Sequence, residues 1–125
     1  MSKKYNADEK ILMALYAEYL SDDPNYIRVN EVTLCMKPET FLWGLMKLQR
    51  SGKVTGVSWI PDYAEVPAQV SVVTRDWMAL TEKGAEQARE ITETGKKRAE
   101  EALKVIAEIF RDLGIAAFSG LIIHG

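Results

Sequence analysis

The sequence predicts an α+β, mostly helical fold on three observations. Apolar residues recur at helical spacing from Ile11 to about Leu20, from Pro38 to Arg50, and again after Thr81. Two β-prone stretches, beginning at Val54 and Val70, lie between the second and third helical segments. A further periodic stretch follows near the C-terminus. The expected order is therefore two helical segments, a hairpin, a helix and a helical extension.

The first helix is indicated by its start and its stop. Asn6 followed three residues later by Glu9 is typical of a capping box. The turn-forming segment 21–25 ends the helix. Between them lies an apolar stripe made of Ile11, Leu12, Leu15, Tyr16 and Tyr19.

The segment between the first helix and Pro38 predicts two short elements. Tyr26–Val29 is β-prone and predicts a first strand. Asn30 is placed to cap a short helix that ends at Cys35, and Lys37-Pro38 breaks that helix. We expect Cys35 to be a small core residue.

The helix from Pro38 to Arg50 is two-sided. Pro38 suits a first helical turn, and Gly52 suits the left-handed position after the last turn. One side is apolar and consists of Phe41, Leu42, Leu45 and Leu48. The opposite side, at spacings i, i+3, i+7 and i+10, consists of Thr40, Trp43, Lys47 and Arg50. This is the layout of a recognition helix in a helix-turn-helix unit.

The hairpin after Gly52 completes the predicted architecture. A strand over about 54–60 is followed by a loop, 61–67, that is too long for a tight turn, and a second strand restarts at Val70. Trp77–Leu80 continues or repeats that strand. Two such strands directly after a helix-turn-helix predict a winged helix-turn-helix. Between 54 and 76 the charges are Asp62, Glu65, Asp76 and Arg75, an excess of acidic residues.

Thr81 can cap the next helix, which we expect to reach about Glu93, and Gly95 either breaks it or sits inside one long helix. Beyond it an a/d seam recurs at spacings of four and three, formed by Ala99, Leu103, Ile106, Phe110, Leu113 and Ala117. Two interpretations stay open, pairing of two chains and packing on the first helix of the same chain. We favour a homodimer, with residues 1–94 as the winged-helix domain and 95–125 as a C-terminal helix and apolar tail that dimerises.

Two short motifs resemble a known family. They are Gly52-Lys-Val-Thr-Gly-Val57 and, after the hairpin, Leu80-Thr-Glu-Lys-Gly84. Over roughly Asp8 to Thr92 the chain resembles the YjcQ-like winged-helix family of small bacterial and prophage proteins. The resemblance implies a winged-helix fold and suggests a phage-related, DNA-binding role.

Composition and motif content exclude several classes. The net charge is −2 and the only cysteine is Cys35, which indicates a cytoplasmic protein without disulfides. No apolar run is long enough to span a bilayer, and we expect neither a signal peptide nor membrane attachment. The only histidine, His124, has no catalytic companion, and no phosphate loop or zinc cluster is found. We therefore expect no enzyme, no cofactor and no metal.

The leading hypothesis is a dimeric DNA-binding or transcription-control protein of prophage type. Thr40, Trp43, Lys47 and Arg50 would contact double-stranded DNA, with Lys37 and Lys53 as flanking phosphate contacts. The alternative is a protein–protein interaction module without nucleic acid, favoured by the net acidity, the acidic hairpin and an exposed Trp43-Gly44 pair. A third hypothesis is a small-molecule pocket at a dimer interface, lined by Trp59, Trp77 and Phe110.

Overall fold

The computed structural model describes residues 5–60, 71–92 and 99–114. Four α-helices lie in these ranges: α1 (Ala7–Leu20), α2 (Pro38–Arg50), α3 (Glu82–Thr92) and α4 (Ala99–Asp112). Between α2 and α3 the described residues form four short strands: β1 (Val54–Thr55), β2 (Ser58–Ile60), β3 (Ser71–Thr74) and β4 (Ala79–Leu80). The prediction of an α+β, mostly helical fold is confirmed. None of the helices in these ranges combines the length and the apolar character needed to cross a membrane.

Helix α1 lies at the centre of the molecule. Every residue from Ile11 to Glu18 is buried, so the helix is enclosed on all sides rather than along one stripe. It contacts α2, α3, α4 and β4. The predicted capping box is present, because the Glu9 N–H donates to Asn6 Oδ1 at 2.8 Å and the Asn6 N–H donates to Glu9 Oε1 at 3.0 Å.

The buried carboxylate of Glu18 organises the turn after α1. Only 2% of Glu18 is exposed, and its Oε1 accepts a hydrogen bond from the Asn25 N–H at 2.9 Å. The Ser21 hydroxyl donates to the Glu18 carbonyl at 2.7 Å. Since a buried carboxylate is costly unless it accepts hydrogen bonds, Glu18 holds the chain in a defined path as it leaves α1.

The predicted first strand is wrong, because Tyr26–Arg28 is a 3₁₀ turn. The carbonyl of Val29, which a neighbouring strand would have bound, instead accepts a hydrogen bond from Arg75 Nη1 at 2.7 Å. Asn30 does cap the next turn, since its Oδ1 accepts from the N–H groups of Val32 and Thr33 at 2.9 and 3.0 Å.

The short helix predicted after Asn30 is only a turn, and it ends at Cys35 with φ 55°. Cys35 is exposed, so the prediction of a core thiol is wrong. Leu34, at 1% exposure, takes the core position instead. The left-handed backbone of Cys35 turns the chain before Pro38 begins α2.

The predicted stop of α2 at Gly52 is confirmed. Gly52 has φ 78°, its N–H donates to the Gln49 carbonyl at 3.1 Å, and the Lys53 N–H donates to the Leu48 carbonyl at 2.9 Å. These two bonds form a Schellman motif. Thr81 then joins this end of α2 to α3, because its hydroxyl donates to the Gly52 carbonyl at 2.6 Å.

The strands form a bent antiparallel hairpin. β1 pairs with β4, and β2 pairs with β3. The bend between the two pairs needs Gly56, because a Cβ there would lie 1.9 Å from the carbonyl oxygen of Trp77. The order of helices and strands is compatible with a winged helix. Asp62, Tyr63, Glu65, Val70 and the rest of the segment 61–70 lie outside the described residues.

Helix α4 packs against α1 and α3 of its own chain. Ile106 and Phe110 are fully buried there, so the prediction that these two residues contact a partner subunit is wrong. Packing on the first helix, the other interpretation of the seam, is confirmed for them, because α4 supplies part of the cover that α1 requires. Leu103 is half-buried against the same core, and Leu113 is 36% exposed.

Two further predictions concern the expected aromatic pocket and the boundary before α4. Of the residues expected to line a pocket at a dimer interface, Phe110 is fully buried in its own chain and Trp77 is 82% exposed. Ala99 is the first residue of α4. Gly95, Ala117 and the apolar tail lie outside the described residues, so the proposed boundary at 94–95 stays a prediction.

We expect Gly84→Ala to lower the free energy of unfolding by about 1–3 kcal/mol, the usual cost of overpacking. An added Cβ would lie 2.3 Å from the Lys53 carbonyl oxygen and 2.6 Å from Leu80 Cδ1. Alanine in an open helix position would stabilise by about 1 kcal/mol, so the sign of the effect tests the contact. Urea denaturation followed by circular dichroism measures it, with the exposed Glu86→Ala on α3 as the control. A Gly84→Ala chain as stable as the wild type would contradict the close packing of α3 on Lys53.

We expect Ile106→Val to lower the free energy of unfolding by about 0.5–1.5 kcal/mol, the cost of one buried methylene. Because Ile106 belongs to the core of its own chain, the loss should be the same at every protein concentration. Thermal denaturation at 2 µM and 200 µM, roughly a hundredfold span, makes this comparison. The partly exposed Leu113→Ala should cost less. A loss of stability that grows with protein concentration would instead place Ile106 in a subunit interface.

Candidate nucleic-acid interface

The two sides of α2 differ in burial as predicted. Phe41, Leu45 and Leu48 are buried, and Leu42 is half-buried against the core. On the opposite side Thr40, Lys47 and Arg50 are exposed, and Trp43 is half-buried. The described strands of the hairpin therefore do not cover the two cations, and Trp43 is not sealed in the interior. The contact face expected from the sequence is physically accessible.

The hairpin is fastened to α2 by the side chain of Gln49. Its Nε2 donates to the Val57 carbonyl and its Oε1 accepts from the Val57 N–H, both at 3.0 Å. The carboxamide therefore satisfies both backbone groups of Val57 where the strands are interrupted. This attachment lies on another side of the helix from Lys47 and Arg50, which leaves those side chains exposed.

Arg75 fixes the hairpin near the other end of α2. Its guanidinium lies over the ring of Phe41, 5.3 Å from the centroid, and donates to the Val29 carbonyl. Burial lowers the pKa of Arg75, and nearby Glu31 acts in the opposite direction. Arg75 is thus a structural cation, tied to the 3₁₀ turn and to α2.

Trp43 and Lys47 interact along the exposed side of α2. The Lys47 ammonium lies 5.6 Å from the centroid of the indole. A cation–π contact at such an exposed site contributes about 0.5–1 kcal/mol. The rest of the indole packs against the core, so only part of Trp43 is available to a ligand. The pair offers one positive charge beside one aromatic surface.

An open groove of about 470 Å³ runs between this side of α2 and the first turn of α1. Gly44 brings the helices together, because a Cβ there would lie 2.7 Å from Ile11 Cδ1 and 3.1 Å from Asp8 Oδ1. Gly44 is buried, so the expectation of an exposed Trp43-Gly44 pair is wrong for the glycine. The groove also contains the carboxylate of Glu39.

A second groove, of about 210 Å³, continues along α1 and reaches Lys53. Lys53 is half-buried, whereas Lys37, at the N-cap of α2, is exposed. The N-terminus of α2 has no side-chain cap, so the positive end of its dipole adds to the charge of Lys37. The candidate surface as a whole carries four cations, Lys37, Lys47, Arg50 and Lys53, and three carboxylates, Asp8, Glu9 and Glu39.

Sequence reasoning missed the carboxylates of α1 beside the contact face. From the sequence, Glu9 belongs to a capping box and Asp8 receives no role, and both lie 31 positions or more before Thr40 in the chain. The small side chain of Gly44, in an otherwise well-formed helix, was the available signal that another element lies close to α2. Nothing in the local pattern identified that element as the first turn of α1.

The described residues contain no cluster of side chains that could bind a metal ion. Within 5–60, 71–92 and 99–114, no three His, Cys, Asp or Glu side chains are close enough together to hold a metal ion. An ion pair between Arg111 and Asp112, at 3.7 Å, is exposed at the end of α4. Surface pairs of this kind contribute little.

Comparison with known proteins does not assign a family. No protein-family model matches the chain, and searches of curated proteins and of solved structures return no match. The resemblance of residues 52–57 and 80–84 to YjcQ-like proteins stays a prediction from those residues.

Proposed function

We propose that this chain is a cytoplasmic winged-helix protein that binds double-stranded DNA through the exposed side of α2. The observation that carries the proposal is the exposure of Lys47 and Arg50, one turn apart, on a helix whose other side is buried and whose adjoining hairpin is fastened elsewhere. The prophage setting and a role in transcription control rest on the family resemblance alone.

An α-helix with its side chains is about 10–12 Å wide, which fits the major groove of about 12 Å. With α2 in that groove, Lys47 and Arg50 would reach phosphates or guanine edges, and Thr40 would reach a phosphate. The exposed part of Trp43 would contact a sugar or a base. Lys37 and Lys53, at the two ends of the helix, would contact flanking phosphates.

The charges predict weak binding with a modest salt dependence. Four phosphate contacts correspond to a slope of log K against log salt of about −3 to −4. The carboxylates of Asp8, Glu9 and Glu39 lie on the grooves beside the same helix, or in its first turn, and oppose the approach of phosphates. Base contacts, rather than net charge, would therefore have to supply specificity.

We expect the double variant Lys47→Ala, Arg50→Ala to bind duplex DNA at least about tenfold more weakly and to reduce the salt slope by about 2. Fluorescence anisotropy of a labelled 25-base-pair duplex at several salt concentrations measures both, with about two turns of DNA in the probe. Lys104→Ala with Arg111→Ala is the matched control, because it removes the same charge from exposed positions of α4. Equal losses in the two double variants, or no binding by the wild type, would refute the proposed contact face.

A second candidate function is supported by the groove beside Trp43. Two carboxylates, Asp8 and Glu39, lie there with one aromatic ring and one ammonium, that of Lys47. A basic peptide segment with an apolar residue would find both a charge partner and an aromatic contact in such a groove. This composition suits a protein partner better than it suits phosphates.

The double variant Asp8→Asn, Glu39→Gln separates the two functions. If α2 binds DNA, removing two negative charges should raise the affinity for the 25-base-pair duplex by roughly three- to tenfold. If the groove binds a basic protein segment, the same change should weaken capture of protein from a lysate and leave duplex binding undetectable. Glu101→Gln with Glu108→Gln, exposed on α4, is the control with equal charge.

A further inference from the structure

Large apolar side chains are exposed on two segments that contact each other. Trp77 is 82% exposed in the bend between β3 and β4, and Ile27 is 48% exposed in the 3₁₀ turn. The two segments are joined by the hydrogen bond from Arg75 to the Val29 carbonyl. An exposed indole close to a second exposed apolar residue marks an interaction surface more often than an isolated side chain does.

Trp77 lies in a turn whose backbone is fixed by hydrogen bonds. The Met78 N–H donates to the Arg75 carbonyl at 3.0 Å, which closes a β-turn with Asp76 and Trp77 at its centre. The Asp76 N–H donates to the Thr74 hydroxyl at 3.1 Å. Both ends of the turn are anchored, since Met78 is 4% exposed and Arg75 is fixed as described above. The backbone from which the indole projects is therefore fixed before any contact is made.

A groove of about 300 Å³ lies beside the projecting indole. Its lining includes Tyr26, Ile27, Arg75, Asp76 and Trp77. We define these five residues as the Trp77 patch. It combines a projecting aromatic side chain and a concave, partly apolar site on one surface.

We propose that the Trp77 patch is the contact between two copies of this chain. A two-fold axis across the patch would place each indole in the groove of the other copy, since one surface supplies both the projection and the recess. The charges are self-complementary as well. Arg75 and Asp76 are neighbours of opposite sign, and a two-fold axis reverses their order, so that each cation faces Asp76 of the partner subunit.

The burial of α4 favours this surface over the one expected from the sequence. Ile106 and Phe110 are already used inside the subunit, which leaves only part of the C-terminal seam for a partner. Each indole buries about 150–250 Å² when fully covered. Two indoles supply roughly 300–500 Å², so the contact, even with the adjoining apolar residues, falls below the roughly 1,200–2,000 Å² of standard interfaces. The dimer should therefore be weak, with Kd of about 1–100 µM.

Sedimentation velocity over roughly 5–500 µM, without nucleic acid, tests the proposal in the range set by the expected Kd. The wild type should pass from monomer to dimer, and Trp77→Ala should stay monomeric throughout. Asp76→Lys, at an exposed position, should weaken the dimer in the same direction. Leu113→Ala, at the exposed end of the C-terminal seam, should behave as the wild type does. Circular dichroism of each variant checks that the fold is retained.

A wild type that stays monomeric at 500 µM, about fivefold above the weakest expected Kd, would overturn the proposal. A dimer that survives Trp77→Ala, or one that is lost in Leu113→Ala, would also overturn it and assign the contact to another surface. The result does not depend on the DNA proposal, because no residue of the patch belongs to the exposed side of α2 and the assay contains no DNA.

Discussion

The enclosure of α1 on every side is the constraint on which the rest of the structure depends. A helix with a buried run from Ile11 to Glu18 cannot be covered by one partner element, so α2, α3, α4 and β4 all pack around it. The need to cover α1 on every side explains why α2 crosses α1 at Gly44 and why α4 turns Ile106 and Phe110 inward. An apolar seam that looked available for a second chain is used to complete the core of the first.

The segment Leu80–Gly84 links α2, the hairpin and α3. Leu80 pairs with Val54 in the hairpin and is buried, and the Thr81 hydroxyl both accepts from the Gly84 N–H and donates to the Gly52 carbonyl. Gly84 lets α3 approach the Lys53 carbonyl, a contact that no side chain would allow. These contacts give a physical reason for the leucine, the threonine and the glycine of this segment. They also fix the hairpin and α3 at the C-terminal end of α2.

The surface around α2 carries charges of both signs, and these charges determine which ligands it can bind. Lys47 lies beside an indole on its own helix, and it lines a groove together with Asp8 of α1 and Glu39 of the first turn of α2. A phosphate backbone would gain from the cations and be repelled by the carboxylates, whereas a protein segment could pair with both signs. The exposed indole of Trp77 lies in the turn between β3 and β4, outside this mixed surface.

Features that depend on a few neighbouring residues were determined by the sequence alone. The capping box of Asn6 and Glu9, the start of α2 at Pro38, its stop at Gly52 and its two unequal sides follow from hydrogen-bonding groups, ring constraints and periodicity within one or two turns. Other features were decided only by the tertiary structure. Tyr26–Val29 did not become a strand because the Val29 carbonyl found Arg75 instead of a neighbouring strand. Whether Phe110 or Trp77 faced the core could not be predicted, because apolar character states that a side chain favours being covered and leaves open which distant element covers it.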